Sequence, residues 1–320
     1  MGLSSVSIII PNYNGEEILA TNLGFVRRAA ASYSAPVETI VVDDASKDGS
    51  IALIEKQFPE IRIVTHGTNR GFSEAVHSGV DAARYPIIVL LNSDVRPDSR
   101  FLAPLIGWFS RGDTFAVSPL ICDPQGNPQR VSWNTPGIIR GEIRNQDWDI
   151  ERARQLAAGG RPLKSLYASG GSAAIRKDMF IRLGGFLPLY QPFYYEDRDL
   201  ATRAYQRGWQ TYFEPRSRVV HDHHGTIHRF FAGRKIKIVS RRNRFFYLWL
   251  HLSRRHLARR HAPWILLRLF TRLLKLDTIY PAALLRALAG MGDVIRLKRE
   301  LVRQGGFKPL EKIIEDIRGT

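Results

Sequence analysis

Four short stretches of this 320-residue chain hold the residue types from which a reaction could be built. Asp43 and Asp44 end the β-branched run Thr39-Ile-Val-Val42, and Asn92, Ser93 and Asp94 end the apolar run Ile87-Ile-Val-Leu-Leu91. Glu196 and Asp197 open an amphipathic segment, and His221-Asp-His-His224 follows Arg218-Val-Val220. Carboxylates in such places can accept hydrogen bonds from a ligand, share a divalent cation with a diphosphate, or take a proton from an attacking hydroxyl. Each stretch also has an ordinary explanation. Asn, Ser and Asp are common turn and cap residues, histidine is frequent in solvated loops, and Glu196, Asp197 and Asp199 would favour a helix N-terminus through its dipole alone.

The apolar spacing places these stretches at the ends of strands. Val6 to Pro11 reads as a strand, Asn12-Tyr-Asn-Gly15 as a turn, and a helix begins near Glu16. Pro36 to Asp44 repeats the strand, and Ala45 to Ser50 caps a helix running to about Phe58. A third strand, Ile61 to Thr65, leads through His66 to Phe72 into an Ala-rich helix ending near Ala83. The run from Ile87 is short, continuously apolar and bounded by turn residues, which predicts a strand buried on both faces. A helix from Phe101 to Phe109 and a strand from Phe115 to Ile121 follow. The alternation predicts right-handed crossovers and a largely parallel sheet, and such sheets bind ligands at the carboxyl ends of their strands. Asp94 is placed there, as a candidate metal ligand.

From Asp123 to about Ser165, Trp133 and Trp148 stand without period, so an irregular segment on the acceptor side of a cleft is expected. Leu166 to Ile175 precedes a helix from Lys177 to Leu183, ended by Gly184-Gly185. Glu196 to Gly208 predicts an amphipathic helix, and short strands are expected at Gln210–Phe213 and Arg218–Val220.

Charge is distributed unevenly. The chain carries 47 Lys and Arg against 30 Asp and Glu, a net +17, and from Arg229 onward 22 basic residues face 6 acidic ones. Nearly all of the excess therefore lies in the last third, as in a neutral body with a basic appendage for an anionic surface. Its helical stretches Phe245–Leu252 and Trp264–Leu274 are flanked by Arg254-Arg255 and Arg259-Arg260. No apolar stretch reaches the roughly 18 to 20 residues that cross a bilayer. A basic helix bearing Trp, Phe and Leu suits the membrane interface instead, with a solvated bundle as the plainer alternative. The single cysteine, Cys122, excludes a disulfide framework and a cysteine-ligated zinc site, and is expected in the core. Met1 to Ser5 lacks the regions of a secretory leader, so none is expected.

Several motifs occur in order: Ser7-Ile-Ile-Ile-Pro-Asn-Tyr-Asn-Gly15, Val41-Val-Asp-Asp-Ala-Ser-Lys-Asp-Gly-Ser50, Asn69-Arg-Gly-Phe72, Leu90-Leu-Asn-Ser-Asp94, Gly184-Gly-Phe186, Tyr195-Glu-Asp-Arg-Asp-Leu200 and Val219-Val-His221. Together they resemble the family 2 inverting glycosyltransferases of the GT-A fold, most of all bacterial rhamnosyltransferase-type members, over about residues 5 to 225. The resemblance implies a Rossmann-like mixed α/β sheet with a nucleotide-binding half (1–122) and an acceptor half (123–225). Residues 226–320 would form a basic helical extension associated with the membrane.

The resemblance also implies roles. Asp44 would read a nucleobase through its imide edge, where a pyrimidine offers one donor between two acceptors. Tyr13 would stack on the base, Pro11 would shape the pocket, and Asp43 would contact the ribose or cap its strand. Asn69 and Gly71 would line the nucleotide-sugar site, and Gly170 and Gly171 would let backbone approach the sugar. Asp94 would hold a divalent cation, Mg or Mn, with Asn92 standing where other members have a first Asp. His221 would complete the coordination, with His223 and His224 as alternatives. Asp197 would be the base of a single displacement, and Glu196 its support or substitute.

The implied reaction moves a sugar from a dTDP-rhamnose-like or UDP-sugar donor to a hydroxyl of a surface glycan or lipid-linked acceptor. The setting would be cytoplasmic, peripheral on the inner face of the cell membrane, with no nucleic acid expected as a partner. Two other classes are held against it: a non-catalytic scaffold built on the same fold, and an anionic-polymer binder acting through the basic tail. A glycoside hydrolase would present paired carboxylates as well but needs no nucleotide pocket.

Overall fold

A computed structural model describes residues 4–139, 142–145, 149–222 and 231–319. Strand β1 (Val6–Asn12) lies inside the main sheet with Ile8, Ile9 and Ile10 almost fully buried, because both its faces are covered. Parallel partners flank it: β2 (Val37–Asp43) on one side and β4 (Ile87–Leu90) on the other, with β3 (Arg62–Thr65) beyond β2. Helices α1 (Glu16–Ala31), α2 (Ser50–Gln57) and α3 (Phe72–Ala82) make the crossovers. Gly79 of α3 lies so close to the sheet that a Cβ there would stand 2.3 Å from Ile9.

Beyond β4 come β5 (Val95–Pro97), α4 (Leu102–Gly107) and β6 (Thr114–Cys122), then later in the chain β9 (Ala174–Arg176), α6 (Lys177–Arg182), α7 (Glu196–Gln206) and β10 (Gln210–His221). The eight-stranded sheet runs in the order β3-β2-β1-β4-β9-β6-β10-β5. Strand β9 is antiparallel to both neighbours, and β5 is antiparallel to β10. The sheet is therefore mixed, where the strand–helix alternation by itself pointed to a largely parallel one. The two strands expected at 210–220 are one strand with a register shift between Glu214 and Arg218. Cys122 is buried in β6, as expected.

The aperiodic segment after Asp123 contains short elements: the hairpin β7 (Pro136–Ile139) and β8 (Glu142–Asn145), then α5 (Ile150–Ala158), which Asp149 caps by accepting from the Arg152 amide at 3.0 Å. Trp133 stacks on Phe213 and donates from its indole to the Lys164 carbonyl at 2.9 Å, inside a small satellite core. Trp148 lies outside the described residues.

The last third divides into two environments. Helix α8 (Gly233–His251) buries Ile236, Phe245, Phe246, Tyr247, Leu248 and Leu250. It shares one apolar core with Tyr167, Tyr190 and Ala201 of the preceding half and with α10 (Ile279–Ala289) and α12 (Leu310–Arg318). Helix α9 (Ala262–Leu274) differs: none of its residues is buried, and Leu266, Leu267, Phe270, Leu273 and Leu274 are each more than half exposed. Helix α11 (Met291–Arg303) completes the bundle. Among the described residues, no helix is long and apolar enough to cross a membrane.

Candidate active site

The carboxyl ends of β1, β2 and β4 meet, as the sheet order requires. At the end of β4 the turn Asn92-Ser93-Asp94 is held by the Asn22 side chain, which donates to the Ser93 carbonyl at 2.8 Å. Asp94 caps no helix, since α4 begins after Phe101 without a side-chain cap. It is buried, and its Oδ1 lies 3.1 Å from His221 Nε2. The antiparallel pairing of β5 with β10 sets His221 opposite Val95 and so delivers the imidazole to this edge. His223 and His224 lie outside the described residues.

Asp94 and His221 supply one oxygen and one nitrogen donor at the open end of the sheet. No group of three or more Cys, His, Asp or Glu that could hold a metal occurs among the described residues. Magnesium-type sites usually take one or two carboxylates and fill the rest of their shell from substrate phosphates and water, so this donor pair fits a cation shared with a diphosphate.

From Asn92 the site continues across the sheet. The Asn92 amide donates to the Gly171 carbonyl at 2.9 Å, and a Cβ on Gly171 would stand 2.8 Å from Asn92 Nδ2. A side chain at 171 would have to displace the Asn92 carboxamide. The next amide back, on Gly170, points to Asp197 Oδ2 at 3.4 Å. Asp197 Oδ1 accepts from the Arg198 amide at 2.8 Å. Asp94, Asn92, Gly171, Gly170 and Asp197 thus form one connected surface, although the chain positions span more than a hundred residues.

The acidic pair sits at the first turn of α7, directly after Tyr194 and Tyr195, both of which have positive φ (72° and 81°). A non-glycine residue in that region is unfavourable and must be held by its surroundings. The holder is Asn243 of α8, fully buried, whose Nδ2 donates to the carbonyls of Tyr190, Phe193 and Tyr194 at 2.6, 2.9 and 2.9 Å. Arg198 lies between the rings of Tyr167 and Tyr195, its guanidinium 4.7 and 4.8 Å from their centroids, and donates to Tyr167 Oη at 3.0 Å. One turn on, Asp199 is buried and accepts from Arg203 Nε at 2.7 Å, His251 Nε2 at 2.8 Å and Tyr190 Oη at 3.1 Å. Burial lowers the His251 pKa, which makes the neutral imidazole with its proton on Nε2 the form that fits these contacts.

Glu196 and Asp197 keep a partial opening to solvent on a densely packed floor. Burial, aided by the Asp197 charge, pushes the Glu196 carboxyl up to about 8, and its Oε2 has no hydrogen-bond partner. Burial raises Asp197 too, against the pull of the Arg198 charge and of the Arg198 and Gly170 amides. Of the two, Asp197 is the better stabilised anion and Glu196 the holder of the proton at neutral pH.

In the nucleotide half the two strand-end acids are engaged by the chain itself. Asp43 accepts from Asn12 Nδ2 at 3.0 Å and the Ser46 amide at 2.9 Å. Asp44 Oδ1 accepts from the Arg70 amide at 2.8 Å and lies 2.7 Å from His66 Nδ1, while its Oδ2 accepts from the Gly71 amide at 2.7 Å. Gly71, at φ 85°, turns the chain so that its amide faces Asp44. Asp44 therefore braces the 66–71 loop, with one lone-pair direction of Oδ2 unused among the described residues. Pro11 and Tyr13 are half-buried beside it, and Asn69 is exposed on the loop.

Sequence reasoning missed Asn243 and His251 of α8, and Arg198. A histidine within the apolar stretch Phe245–Leu252 was the available signal, because a polar residue on a helix buried all round needs a buried partner.

A family model described as glycosyl transferase family 2 matches residues 7–184. An N-acetylglucosaminyl-diphospho-decaprenol L-rhamnosyltransferase of Mycobacterium tuberculosis is 27% identical over 218 residues, covering 62% of this chain and 70% of that enzyme. A polypeptide N-acetylgalactosaminyltransferase 4 of Caenorhabditis elegans is 25% identical over 199 residues, covering 58% of this chain but only 32% of its own length. Among solved structures, GalNAc-T7 with UDP, GalNAc and Mn2+ superposes at a TM-score of 0.62 with 18% identity, over 79% of this chain and 49% of that one. The mannosyltransferase of Pyrobaculum calidifontis with GDP-Man and Mn2+ does so at 0.55 with 19% identity, over 90% and 88%. The structural likenesses carry the GT-A fold; by the match across more than half of its length, the chain belongs to glycosyl transferase family 2.

Proposed function

We propose that this glycosyltransferase moves a sugar, with inversion, from a pyrimidine nucleoside diphosphate donor of the dTDP-rhamnose or UDP-sugar type to a hydroxyl of a glycan or lipid-linked acceptor. The observation that carries the reading is the connected surface from Asp94 through Asn92, Gly171 and Gly170 to Asp197, which brings a candidate cation ligand and a candidate base onto one cleft floor. Asp197 takes the acceptor proton as its oxygen attacks the anomeric carbon, and the nucleoside diphosphate leaves from the opposite face. The backbone amides on Asp197 orient its carboxylate, so the base is set before substrate arrives. Asp94 and His221 would hold a divalent cation, which when bound offsets the charge of the leaving diphosphate. Asp44 accepts the imide N–H of the base through its remaining lone pair, and Tyr13 covers the ring. The 27% identity to a rhamnosyltransferase supports the donor class.

Calorimetric titration of UDP, dTDP and GDP, with Mn2+ and again with chelator, tests the donor side. One pyrimidine diphosphate is expected to bind only with metal, and Asp94→Ala is expected to weaken that binding roughly tenfold to a hundredfold. Equal binding by the Ala variant would remove Asp94 from the metal site, and no diphosphate binding at all would sink the transferase reading.

The acceptor is reached from an anionic membrane surface. Support comes from α9, whose face of Leu266, Phe270, Leu273 and Leu274 is uncovered and has Arg259, Arg260, Arg272 and Lys275 beside it. Such a face gains free energy from the acyl boundary while its cations meet the headgroups. Replacing Leu266, Phe270 and Leu274 together by Ser is expected to reduce flotation with anionic vesicles by roughly a hundredfold in affinity, with transfer to a water-soluble acceptor unchanged. Undiminished flotation would refute the membrane role of α9. Cutting the chain after Thr226 makes a poorer test, because α8 carries Asn243 and would leave with it.

A further inference from the structure

A cavity of about 550 Å³ opens between α8, α10, α11 and the turn at 187–191, apart from the connected surface that holds Asp94 and Asp197. Its walls alternate in character. Leu187, Phe246 and Leu297 line it with hydrocarbon, and Arg242, Arg286 and Arg296 bring three guanidinium groups to it. The one carboxylate on the lining, Asp293, is taken by Arg296 at 2.8 Å. That leaves Arg242 and Arg286 facing the cavity with no carboxylate paired to either among the described residues.

Arg242 is not a solvated surface side chain. Its Nε and Nη2 donate to Asn243 Oδ1 at 2.9 and 2.8 Å, and Nη2 also donates to the Gln191 carbonyl. The guanidinium is thereby fixed in place, and its Nη1 group makes no hydrogen bond among the described residues. Burial and the nearby Arg286 charge both work against its protonated form. Like charges held together in a concave, partly apolar site are relieved by an anion between them, and arginines at fixed geometry suit phosphate oxygens.

We propose that this cavity binds a phosphate or diphosphate monoester, with its oxygens on Arg242 and Arg286 and its organic part against Phe246, Leu187 and Leu297. The ligand phosphate comes either from a free small molecule or from a lipid headgroup. Arg242 holds Asn243, and Asn243 holds the carbonyls of Tyr190, Phe193 and Tyr194 ahead of Glu196 and Asp197. An anion here therefore bears on the same scaffold that positions the acidic pair.

The test uses the full chain in the presence of chelator, which silences metal-dependent diphosphate binding at Asp94 and keeps the outcome separate from the donor reading. Pyrophosphate is titrated by calorimetry, and flotation is compared between phosphatidylcholine vesicles and the same vesicles with phosphatidic acid. Arg286 is exposed, with no hydrogen-bond partner among the described residues, so Arg286→Gln is expected to keep the wild-type melting temperature. Arg286→Gln and Ala289→Glu, which sets a carboxylate at the cavity wall, are each expected to weaken one of the two probes tenfold or more. Arg299→Gln, removing an exposed charge of α11 that does not line the cavity, leaves both unchanged. Loss with pyrophosphate assigns a free ligand, and loss only with phosphatidic acid assigns a headgroup. The proposal is overturned if neither probe separates Arg286→Gln from wild type, or if Arg299→Gln weakens binding as much.

Discussion

Asp197→Asn is expected to lower kcat by roughly 10³- to 10⁴-fold, the upper part of the range for a general base, with donor binding nearly unchanged. Asparagine keeps the shape, and its carbonyl oxygen still accepts from the Arg198 amide while only the longer 3.4 Å contact from the Gly170 amide is given up, so the loss reports proton acceptance rather than collapse of the cleft. A pH profile separates this from a structural effect. The base works deprotonated, so kcat/KM falls as pH drops through the Asp197 pKa, which burial sets above the ordinary aspartate value of about 3.9. Glu196, held near 8, carries its proton through the neutral range. Glu196→Gln imitates that form, is expected to stay active at pH 7, and should lose any break the wild type has near pH 8. Full transfer by Asp197→Asn would remove the base assignment, and inactivity of Glu196→Gln with activity in Asp197→Asn would exchange the two roles.

The second large effect is on folding. Asp199→Ala is expected to cost about 3–5 kcal/mol, the usual penalty for leaving a buried partner charge uncompensated, and to lower the melting temperature on the order of 10 °C. Arg203 would be left inside with its carbonyl contacts to Leu183 and Gly185 but no anion, and His251 and Tyr190 would each lose an acceptor. Burial alone would raise Asp199, but Arg203 and His251 outweigh it and hold the carboxyl below its ordinary range. Its contribution is therefore complete above about pH 4 and disappears as pH falls through the lower folded value. Glu196 has the opposite sign. Its folded value of about 8 against 4.5 means that stability declines as pH rises between the two. A melting temperature for Asp199→Ala within a degree or two of wild type would show that α7 is not tied to α8 through this carboxylate.

The two effects are linked by geometry. Helix α7 bears the acidic pair on its first turn and the Asp199 network one turn later, and both are fastened to α8, the first through Asn243 and the second through His251. A helix from the basic last third is thus part of the frame of the cleft, while α9 from the same third lies open at the surface.

What the sequence determined by itself was local. Strands β2 and β4 of the nucleotide half are short apolar runs ended by polar residues, and burial on both faces forces the run inside and its polar end outward; Asp43, Asp44 and Asp94 follow from that alone. The order of the motifs was legible too, and it identified the family. The tertiary structure decided what local pattern cannot carry. Strand β9 enters antiparallel between β4 and β6 after an excursion of about fifty residues, and nothing in its three residues announces its direction. Asp44 is engaged by amides 26 and 27 positions away, and this engagement appears only once the 66–71 loop is folded onto it. In α8 the arginines that dominate the composition mask a helix buried among aromatic side chains. The partners of Asn243 and His251 lie about fifty residues upstream, and contacts at that separation are set by packing rather than by any period in the chain.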